Sequence, residues 1–303
     1  MIDRRRMLAV ATGLAVLVAA GPAGSQESAS AKLKVLATFS ILGEVVKNVG
    51  GDRVEVATLV GPNSDAHVYA PAPADAKKVA DAKLVITNGL GFEGWMGRLI
   101  KASGSKAPVL VATKGIKERK TQDSHGHGGA DPHAWQSVAN VKVYVANIRD
   151  ALIAADPAGK DAYEANAAAY LGKLDALDQE VRAAVSAIPA DRRRIITSHD
   201  AFGYFQQAYG IEFIAPQGVS TEAEPSARDV ARIITQVKKQ KIPAVFLENI
   251  TDSRLMERIA HETGARVGGK LYSDALTGDK GDAPTYIELM RHNVKQLAAA
   301  LMM

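Results

Sequence analysis

The sequence predicts an α/β protein with two lobes, each a mainly parallel sheet flanked by helices, joined by one long rigid spine helix. Three observations predict this fold. Segments of strand character alternate with segments of helical character in both halves of the chain. One central stretch keeps a single apolar helical face from Asp161 to Ile188. The chain of 303 residues is also long enough for two lobes, each with its own core.

The first half alternates strands and helices from residue 33 to residue 113. The strand segments are LKVLATFS, VEVATLV, KLVITNG and PVLVAT, and the helical segments are ILGEVVKNVGG, PADAKKVADA and WMGRLIKAS. Glycines 50 and 51 stop the first helix, and Gly61-Pro62-Asn63 marks a loop that carries His67. Because helices separate the strands, we expect parallel pairing with helices on both faces of the sheet.

The middle of the chain predicts a loop rich in Gly and His over residues 121–133, a helix near 138–155, and the spine helix. From Asp161 to Ile188 apolar residues recur at steps of three and four, which places them on one helical face. At 1.5 Å per residue this helix would be about 42 Å long. The alternative is two shorter helices broken near Gly172.

The second half repeats the alternation, although we find no residue-level repeat between the halves. Its segments are RIITS, AFGYFQQAYG, IEFIAP, SARDVARIITQVKKQKI, AVFLEN, SRLMERIAHETGA, KLYSD and a final helix. We therefore predict an N-terminal lobe over residues 26–155, the spine over 156–188, and a C-terminal lobe over 189–303.

Residues 1–25 have the pattern of a signal peptide. Arg4, Arg5 and Arg6 precede a short apolar run from Met7 to Ala20. That run is shorter than the ~20 residues that a membrane-spanning helix needs, although a retained anchor is the alternative. We expect export to the periplasm and removal of the segment, by either the general or the twin-arginine route.

The composition excludes several classes of function. The chain has no Cys, which excludes disulfides, thiolate nucleophiles, zinc fingers, iron–sulfur ligation and lipid attachment at a cysteine. A net charge of +4 with only 5% aromatic residues does not suit a nucleic-acid partner. No phosphate-binding G-x-x-x-x-G-K-[ST] loop or G-x-S-x-G elbow is present. The seven histidines are the remaining metal-binding side chains of interest.

Four polar residues lie where an open α/β sheet binds ligands. His67 follows the second strand, His199 follows RIITS, Asp274 follows KLYS, and His133 precedes a helix in DPHAW. They are far apart along the chain, so they could form one site only if both folded lobes face each other. Three imidazoles and one carboxylate suit tetrahedral Zn²⁺. The alternative for any one of these histidines is a hydrogen-bonded loop residue.

The other histidines carry weaker signals. His125 and His127 form a His-x-His pair in a glycine-rich stretch, which is either an auxiliary metal-capturing loop or a polar surface loop. His261 starts a sequence like a His-Glu-x-x-His zinc motif, but Ala265 stands at the second ligand position. We expect His261 on a helix surface and no special role for His292.

Several further side chains are candidates for supporting roles. Glu222, Glu224 and Glu248 could each hydrogen-bond a ligand histidine, and the sequence does not choose among them. Phe92 and Trp95 are predicted to pack the first lobe rather than stack on a ligand.

Five phrases in register resemble a known family. ATFSILGEVVKNVGGDRVEVATLVGPNSDAHVYAP, NGLGFEGWM, DPHAW, SHDAFGYF and LYSDAL are similar to the zinc- and manganese-binding cluster A-I solute-binding proteins of bacterial ABC importers. The similarity runs from about residue 33 to the C-terminus. It implies two lobes joined by a rigid spine helix, with a metal between them. The family's four ligands fall on His67, His133, His199 and Asp274.

The third ligand bears on the choice of metal. Manganese-type members of the family usually have Glu there, so His199 favours zinc. Zinc-type members often carry a long His-rich loop before the second ligand, which here shrinks to His125 and His127. A manganese- or iron-binding importer component is the alternative within this family.

The resemblance implies a monomeric periplasmic protein that carries Zn²⁺ to a membrane permease driven by a separate ATPase, with a metallochaperone as a further candidate partner. It implies no enzyme activity, because a closed four-ligand site activates no water. A zinc hydrolase and a surface adhesin are the alternatives from other classes. We expect small movements on binding, and an affinity that falls below about pH 6.

Overall fold

Two four-stranded parallel sheets form the centres of the two lobes. The computed structural model describes residues 31–122 and 128–302, with one of these sheets in each half of the chain. The predicted fold class is confirmed. The predicted signal peptide, His125 and His127 lie outside the described residues.

The N-terminal lobe follows the predicted alternation. Its elements are β1 (Leu33–Phe39), α1 (Ser40–Gly50), β2 (Val54–Val60), α2 (Pro73–Asp81), β3 (Leu84–Thr87), α3 (Met96–Ser103) and β4 (Val109–Val111). The central strand β1 pairs with β2 from Leu33 opposite Val54, and with β3 from Val35 opposite Leu84. Apolar side chains fill β3 without alternation because helices cover both faces of a parallel sheet.

The C-terminal lobe has the same topology. Its elements are β7 (Arg194–Ile196), α6 (Gly203–Tyr209), β8 (Glu212–Ile214), α7 (Ala227–Gln240), β9 (Ala244–Glu248), α8 (Arg254–Thr263), β10 (Arg266–Leu271) and α9 (Tyr286–Leu301). Numbered from the first strand of each lobe, both sheets have the order 2-1-3-4. The carboxyl ends of the strands in each lobe are therefore equivalent places for a ligand.

Between the lobes lie a hairpin and two helices. Strands β5 (Lys120–Gln122) and β6 (Gly128–Ala130) pair in antiparallel fashion where the sequence predicts only a loop. These strands are short, polar and rich in glycine, so they carry no apolar alternation that could reveal them. Helix α4 (Val138–Ala155) follows, as predicted.

The spine is one continuous helix, α5 (Lys160–Ser186), of 27 residues. The predicted apolar face is confirmed, since its members are buried from Tyr163 to Val185. The helix passes through Gly172 without a break, so the alternative of two shorter helices is wrong. Tyr170 Oη donates to Glu44 on α1 at 3.1 Å, and Arg291 on α9 pairs with Glu180 at 2.7 Å. The spine is thus fastened to both lobes.

The largest hydrophobic core does not stop at the predicted lobe boundary. It runs from the N-terminal sheet along α4 and α5 into α9 and the inner face of the C-terminal sheet. A second, smaller core lies under α7 and α8 around Ile233, Val245 and Ile259. Because one core passes through both lobes, relative motion of the lobes would disturb packed side chains.

Candidate metal centre

The structure brings together the four residues that the sequence analysis predicts as ligands. His67 lies in the loop after β2, His133 just before the turn that leads to α4, His199 after β7, and Asp274 after β10. One ligand atom from each residue lies within 4.8 Å of all the others, and all four residues are buried. Each lobe contributes two of them; His67, His199 and Asp274 follow the carboxyl ends of sheet strands, and His133 precedes α4.

The ligand atoms of these residues face one another at separations from 3.2 Å up to 4.8 Å. Asp274 Oδ2 lies 3.2 Å from His67 Nε2 and 3.2 Å from His199 Nε2. The Nε2 atoms of His67 and His133 are 3.3 Å apart, and His133 Nε2 is 3.6 Å from Asp274 Oδ1. A tetrahedron with Zn–N bonds of about 2.05 Å has edges of about 3.3 Å, so these shorter separations match it, whereas the widest pair, at up to 4.8 Å, would have to move closer around an ion.

His67 is the predicted ligand nearest to solvent. It is 7% exposed, whereas the other three are at most 1% exposed. Its backbone N–H donates to Asp65 Oδ1 at 2.8 Å, and its ring meets Phe92 edge-on at 4.8 Å. Trp95 Nε1 donates to the carbonyl of Ala66 at 2.9 Å. Phe92 and Trp95 are buried in the N-terminal lobe as predicted, and they also hold the loop that carries this ligand.

Hydrogen bonds fasten the His133 segment to both its own lobe and the opposite one. Asp131 Oδ1 lies 2.7 Å from His133 Nδ1 and accepts the backbone N–H of His133 at 3.0 Å. Trp135 Nε1 and Gln136 Nε2 both donate to the carbonyl of Ser273, at 2.8 and 2.7 Å. Ser273 precedes Asp274, so these bonds link the second predicted ligand to the fourth. Asp131 was not predicted from the sequence, although the Asp-x-His spacing in DPHAW could have revealed it.

Among the three candidate glutamates, Glu248 contacts a histidine that is predicted as a ligand. Its Oε2 lies 2.7 Å from His199 Nδ1, and its Oε1 accepts the backbone N–H of His199 at 3.0 Å. Glu222 and Glu224 instead line a surface cleft beside Asp65. A buried carboxylate on Nδ1 orients the ring so that Nε2 points to the site.

The carboxylates around the site raise the pKa of two histidines. Burial lowers the pKa of His133, but the charges of Asp274 and Asp131 outweigh burial and raise it to about 9. Burial likewise opposes a charge on His199, and Glu248 and Asp274 raise its pKa well above the ordinary value. Without metal, both side chains therefore hold protons at neutral pH.

The pKa values of the other two predicted ligands, His67 and Asp274, are lowered. Burial lowers the pKa of His67, and the nearby Asp274 compensates only in part. Burial favours the neutral form of Asp274, but His133 and His199 outweigh it and hold the pKa of this carboxyl well below its usual range. The metal-free site thus has an ionised carboxylate that faces two protonated imidazoles. A divalent cation that binds here must displace those protons.

The remaining histidines of the described chain lie elsewhere. His261 is exposed on α8, as predicted. His292 lies on α9, where its Nε2 donates to the carbonyl of Lys270 at 3.0 Å and its ring contacts Tyr272 at 4.7 Å.

Comparison with known proteins identifies the family. The profile of the family described as zinc-uptake complex component A, periplasmic (ZnuA), matches residues 35–300. The chain belongs to this family. The resemblance inferred from the sequence phrases is thereby confirmed. As a member of the family, the protein is a metal-binding substrate-binding protein of ABC importers, which is a solute-binding and not an enzymatic class.

Relatives in the family bear the names of different metals. The iron-binding protein YfeA of Yersinia pestis is 36% identical over 267 residues, which cover 88% of this chain and 86% of YfeA. The manganese ABC transporter substrate-binding lipoprotein PsaA of Streptococcus pneumoniae is 33% identical over 291 residues, 94% of each chain. Sequence similarity to these relatives therefore does not choose the metal.

Solved structures show the same fold. The periplasmic zinc-binding protein TroA of Treponema pallidum superimposes with a TM-score of 0.84 at 30% identity, covering 89% of this chain and 99% of TroA. The Mn-bound periplasmic metal-binding protein of Candidatus Liberibacter asiaticus gives a TM-score of 0.80 at 30% identity, covering 89% and 100%. Along residues 31–122 and 128–302, none of the helices has the length and hydropathy that a membrane crossing requires.

Proposed function

We propose that this protein captures Zn²⁺ between its two lobes, in the site formed by His67, His133, His199 and Asp274, and delivers it to an ABC-type permease. The observation that supports zinc is the donor set of three imidazoles and one carboxylate that face one another. The Nε2 atoms of the three histidines lie 3.2 to 3.6 Å from the oxygens of Asp274. Imidazole nitrogen suits zinc, whereas manganese favours carboxylate, carbonyl and water oxygens.

A manganese or iron cargo is the second candidate. The names of PsaA and YfeA support it, since these relatives are described as manganese- and iron-binding. Asp274 could also offer both oxygens to a larger ion, because its Oδ1 lies 3.6 Å from His133 Nε2. The side chain at position 199 distinguishes the two candidates. His199 adds a nitrogen donor, which favours zinc, whereas a carboxylate there would add oxygen donors, which favour manganese.

The closed shape of the site supports transport rather than hydrolysis. Four protein atoms supply a full tetrahedral set, and catalytic zinc sites instead keep one position for water. The shared hydrophobic core supports small local movements on binding, such as a shift of the loop that carries His67.

We further propose that residues 1–25 direct export and are then removed, so that the mature protein works in the periplasm as a monomer. The partners would be a membrane permease and its ATPase, with a metallochaperone as a further candidate. Relatives named as substrate-binding lipoproteins support export, although this chain has no Cys to carry a lipid. A loop around His125 and His127 would serve as an auxiliary metal-binding segment.

Metal competition with His199 variants tests the choice of metal. Metal-free protein offered equal Zn²⁺ and Mn²⁺ should retain one zinc per chain, because three imidazoles favour zinc. His199→Ala should lose most of this zinc, and His199→Glu should shift the preference toward manganese. His261→Ala, at an exposed helix position, is the matched control. Retention of manganese by the native chain would establish the second candidate, and tight zinc in His199→Ala would remove His199 from the site.

Loss of the Glu248 carboxylate should weaken zinc binding without removing a ligand. Glu248→Ala frees the His199 ring to rotate, and loss of such partners weakens metal binding by about 10- to 100-fold. Titration against a competing chelator measures the effect. Glu224→Ala, on the neighbouring cleft, should leave the affinity unchanged. Equal affinities in both variants would contradict an orienting role for Glu248.

A further inference from the structure

Arg119 contacts residues of both lobes beside the candidate metal centre. It lies in the segment between β4 and β5, and its backbone N–H donates to Tyr204 Oη on α6 at 2.9 Å. Its guanidinium rests on the backbone of Gly203, where an added Cβ would lie 2.2 Å from Arg119 Cζ. The absence of a side chain at Gly203 therefore makes room for the guanidinium.

The guanidinium meets one carboxylate from each lobe. Arg119 Nη1 donates to Asp131 Oδ2 at 2.9 Å and lies 3.9 Å from Asp200 Oδ2. The second oxygen of Asp131 lies 2.7 Å from His133 Nδ1, and Asp200 directly follows His199. Arg119 therefore acts on a proposed ligand of each lobe through one neighbouring residue: Asp131 for His133, and Asp200 for His199.

We propose that Arg119 is a positioning residue for the metal centre: it holds the Asp131 carboxylate in the orientation that aims His133 Nε2 at the cargo ion. This inference rests on the proposed metal-binding function. Nothing in it requires Arg119 to touch the metal.

The geometry explains why an arginine suits this place. Asp131 is fully buried, and a carboxylate there needs partners for both oxygens. With Oδ2 held by Arg119, Oδ1 faces His133 Nδ1, which donates to it and leaves the lone pair of Nε2 for a metal. Arg119 Nη1 faces both Asp131 and Asp200, while Cζ, Nη1 and Nε together lie against Gly203, and the smaller ammonium of a lysine would not cover that surface.

The test uses variants on both sides of this contact. Arg119→Ala removes the guanidinium, and Gly203→Ala displaces it through the added Cβ. Arg53→Ala is the matched control, because Arg53 likewise pairs with an aspartate, Asp156, at 2.8 Å and rests on Gly159. Asp156 lies beyond the far end of α4, about 27 Å along the helix from the turn that carries His133.

Two readouts separate positioning from general stability. Chelator competition should show zinc binding weakened by about 10- to 100-fold in Arg119→Ala, with Arg53→Ala within about twofold of the native chain. Gly203→Ala should also weaken binding, and the Arg119→Ala/Gly203→Ala double variant should match Arg119→Ala within about twofold, since no guanidinium remains to displace. Nuclear magnetic resonance of ¹⁵N-histidine-labelled protein should show a slowly exchanging His133 Nδ1–H in the native chain, with and without zinc, and a fast-exchanging one in Arg119→Ala.

Different results would refute the positioning role of Arg119 and the proposed metal-binding function. Native-like zinc affinity in Arg119→Ala, equal losses in Arg119→Ala and Arg53→Ala, or unchanged exchange of the His133 Nδ1–H would each refute the positioning role. Failure of the native chain to bind metal would refute the proposed function, while the exchange measurement on metal-free protein would still test Arg119. If Arg119→Ala does not fold, Arg119→Lys and Gly203→Ala take its place, with the same predicted direction.

Discussion

Replacement of Asp274 by alanine should weaken zinc binding by about 10²- to 10⁴-fold, which corresponds to about 3–5 kcal/mol for removing one partner from a buried charged cluster. Asp274 is the only carboxylate among the four proposed ligands, and its oxygens lie 3.2, 3.6 and 3.2 Å from the Nε2 atoms of His67, His133 and His199. Its loss removes one ligand and the charge that compensates the cation. Chelator competition, with metal content per chain, measures the result.

A control residue for this variant lies in the same loop as Asp274. Asp279→Ala removes an exposed carboxylate from a nearby position and should leave the affinity unchanged. Asp274→Asn keeps the shape but not the charge, so it should fall between the native chain and Asp274→Ala. Zinc as tight in Asp274→Ala as in the native chain would contradict the four-ligand site. The variant also leaves three histidines and an open position, so new ester hydrolysis would expose the chemistry of a zinc hydrolase.

Zinc affinity should rise by at least about tenfold per pH unit between about pH 6.5 and pH 8, because binding displaces protons from the histidines. Those protons sit on His133, whose pKa is raised to about 9, and on His199, whose pKa is raised well above its ordinary value. His67, whose pKa is lowered, adds a third proton only in more acidic solution. The sequence alone predicts loss of affinity below about pH 6, and the surrounding carboxylates move this onset to higher pH.

The stability of the metal-free protein should show the opposite dependence. His133 binds its proton more tightly in the folded state, with a pKa of about 9, than at the unfolded value of 6.5. Its contribution, on the order of 3 kcal/mol, is therefore fully present below pH 6.5 and lost as pH rises through 9. Asp274, whose pKa is lowered, contributes above about pH 4 and loses this contribution in acid.

Denaturant unfolding of metal-free protein at pH 6.5 and pH 9.5 measures this effect. His133→Gln, which has no imidazole to titrate, should show a smaller loss over the same range. Calorimetric titration with zinc in two buffers of different ionisation enthalpy counts the released protons. Release of no protons at pH 7, or equal pH dependence in His133→Gln, would contradict the charge state inferred for the site.

The elements that sequence analysis predicts well are those with a local pattern. The spine is the clearest case, because Tyr163 to Val185 recur on one face whatever surrounds them, and all of them are buried. The alternation of strands and helices likewise predicts parallel pairing in each lobe. The hairpin of β5 and β6 was missed, since its polar and glycine-rich strands have no apolar period.

The supporting side chains of the site were harder to predict. Glu222, Glu224 and Glu248 look equivalent in the sequence, yet only the position of Glu248 at the end of β9 brings it to His199. No local pattern points to Arg119, since its partner Asp131 belongs to another segment and its partner Asp200 to the other half of the chain. Contacts of that kind depend on how the lobes close on each other.

By itself the sequence determined the two α/β lobes, the spine between them, and the four residues at strand ends and before α4 that share ligand chemistry. These conclusions depend on periodicity, on turn residues and on phrases in register, all of which are local. The tertiary structure decided that the ligand atoms of four residues far apart along the chain lie within 4.8 Å of one another. It also decided which carboxylates face them. Those distances arise only because one core packs both lobes against the spine, and no short stretch of chain encodes such packing.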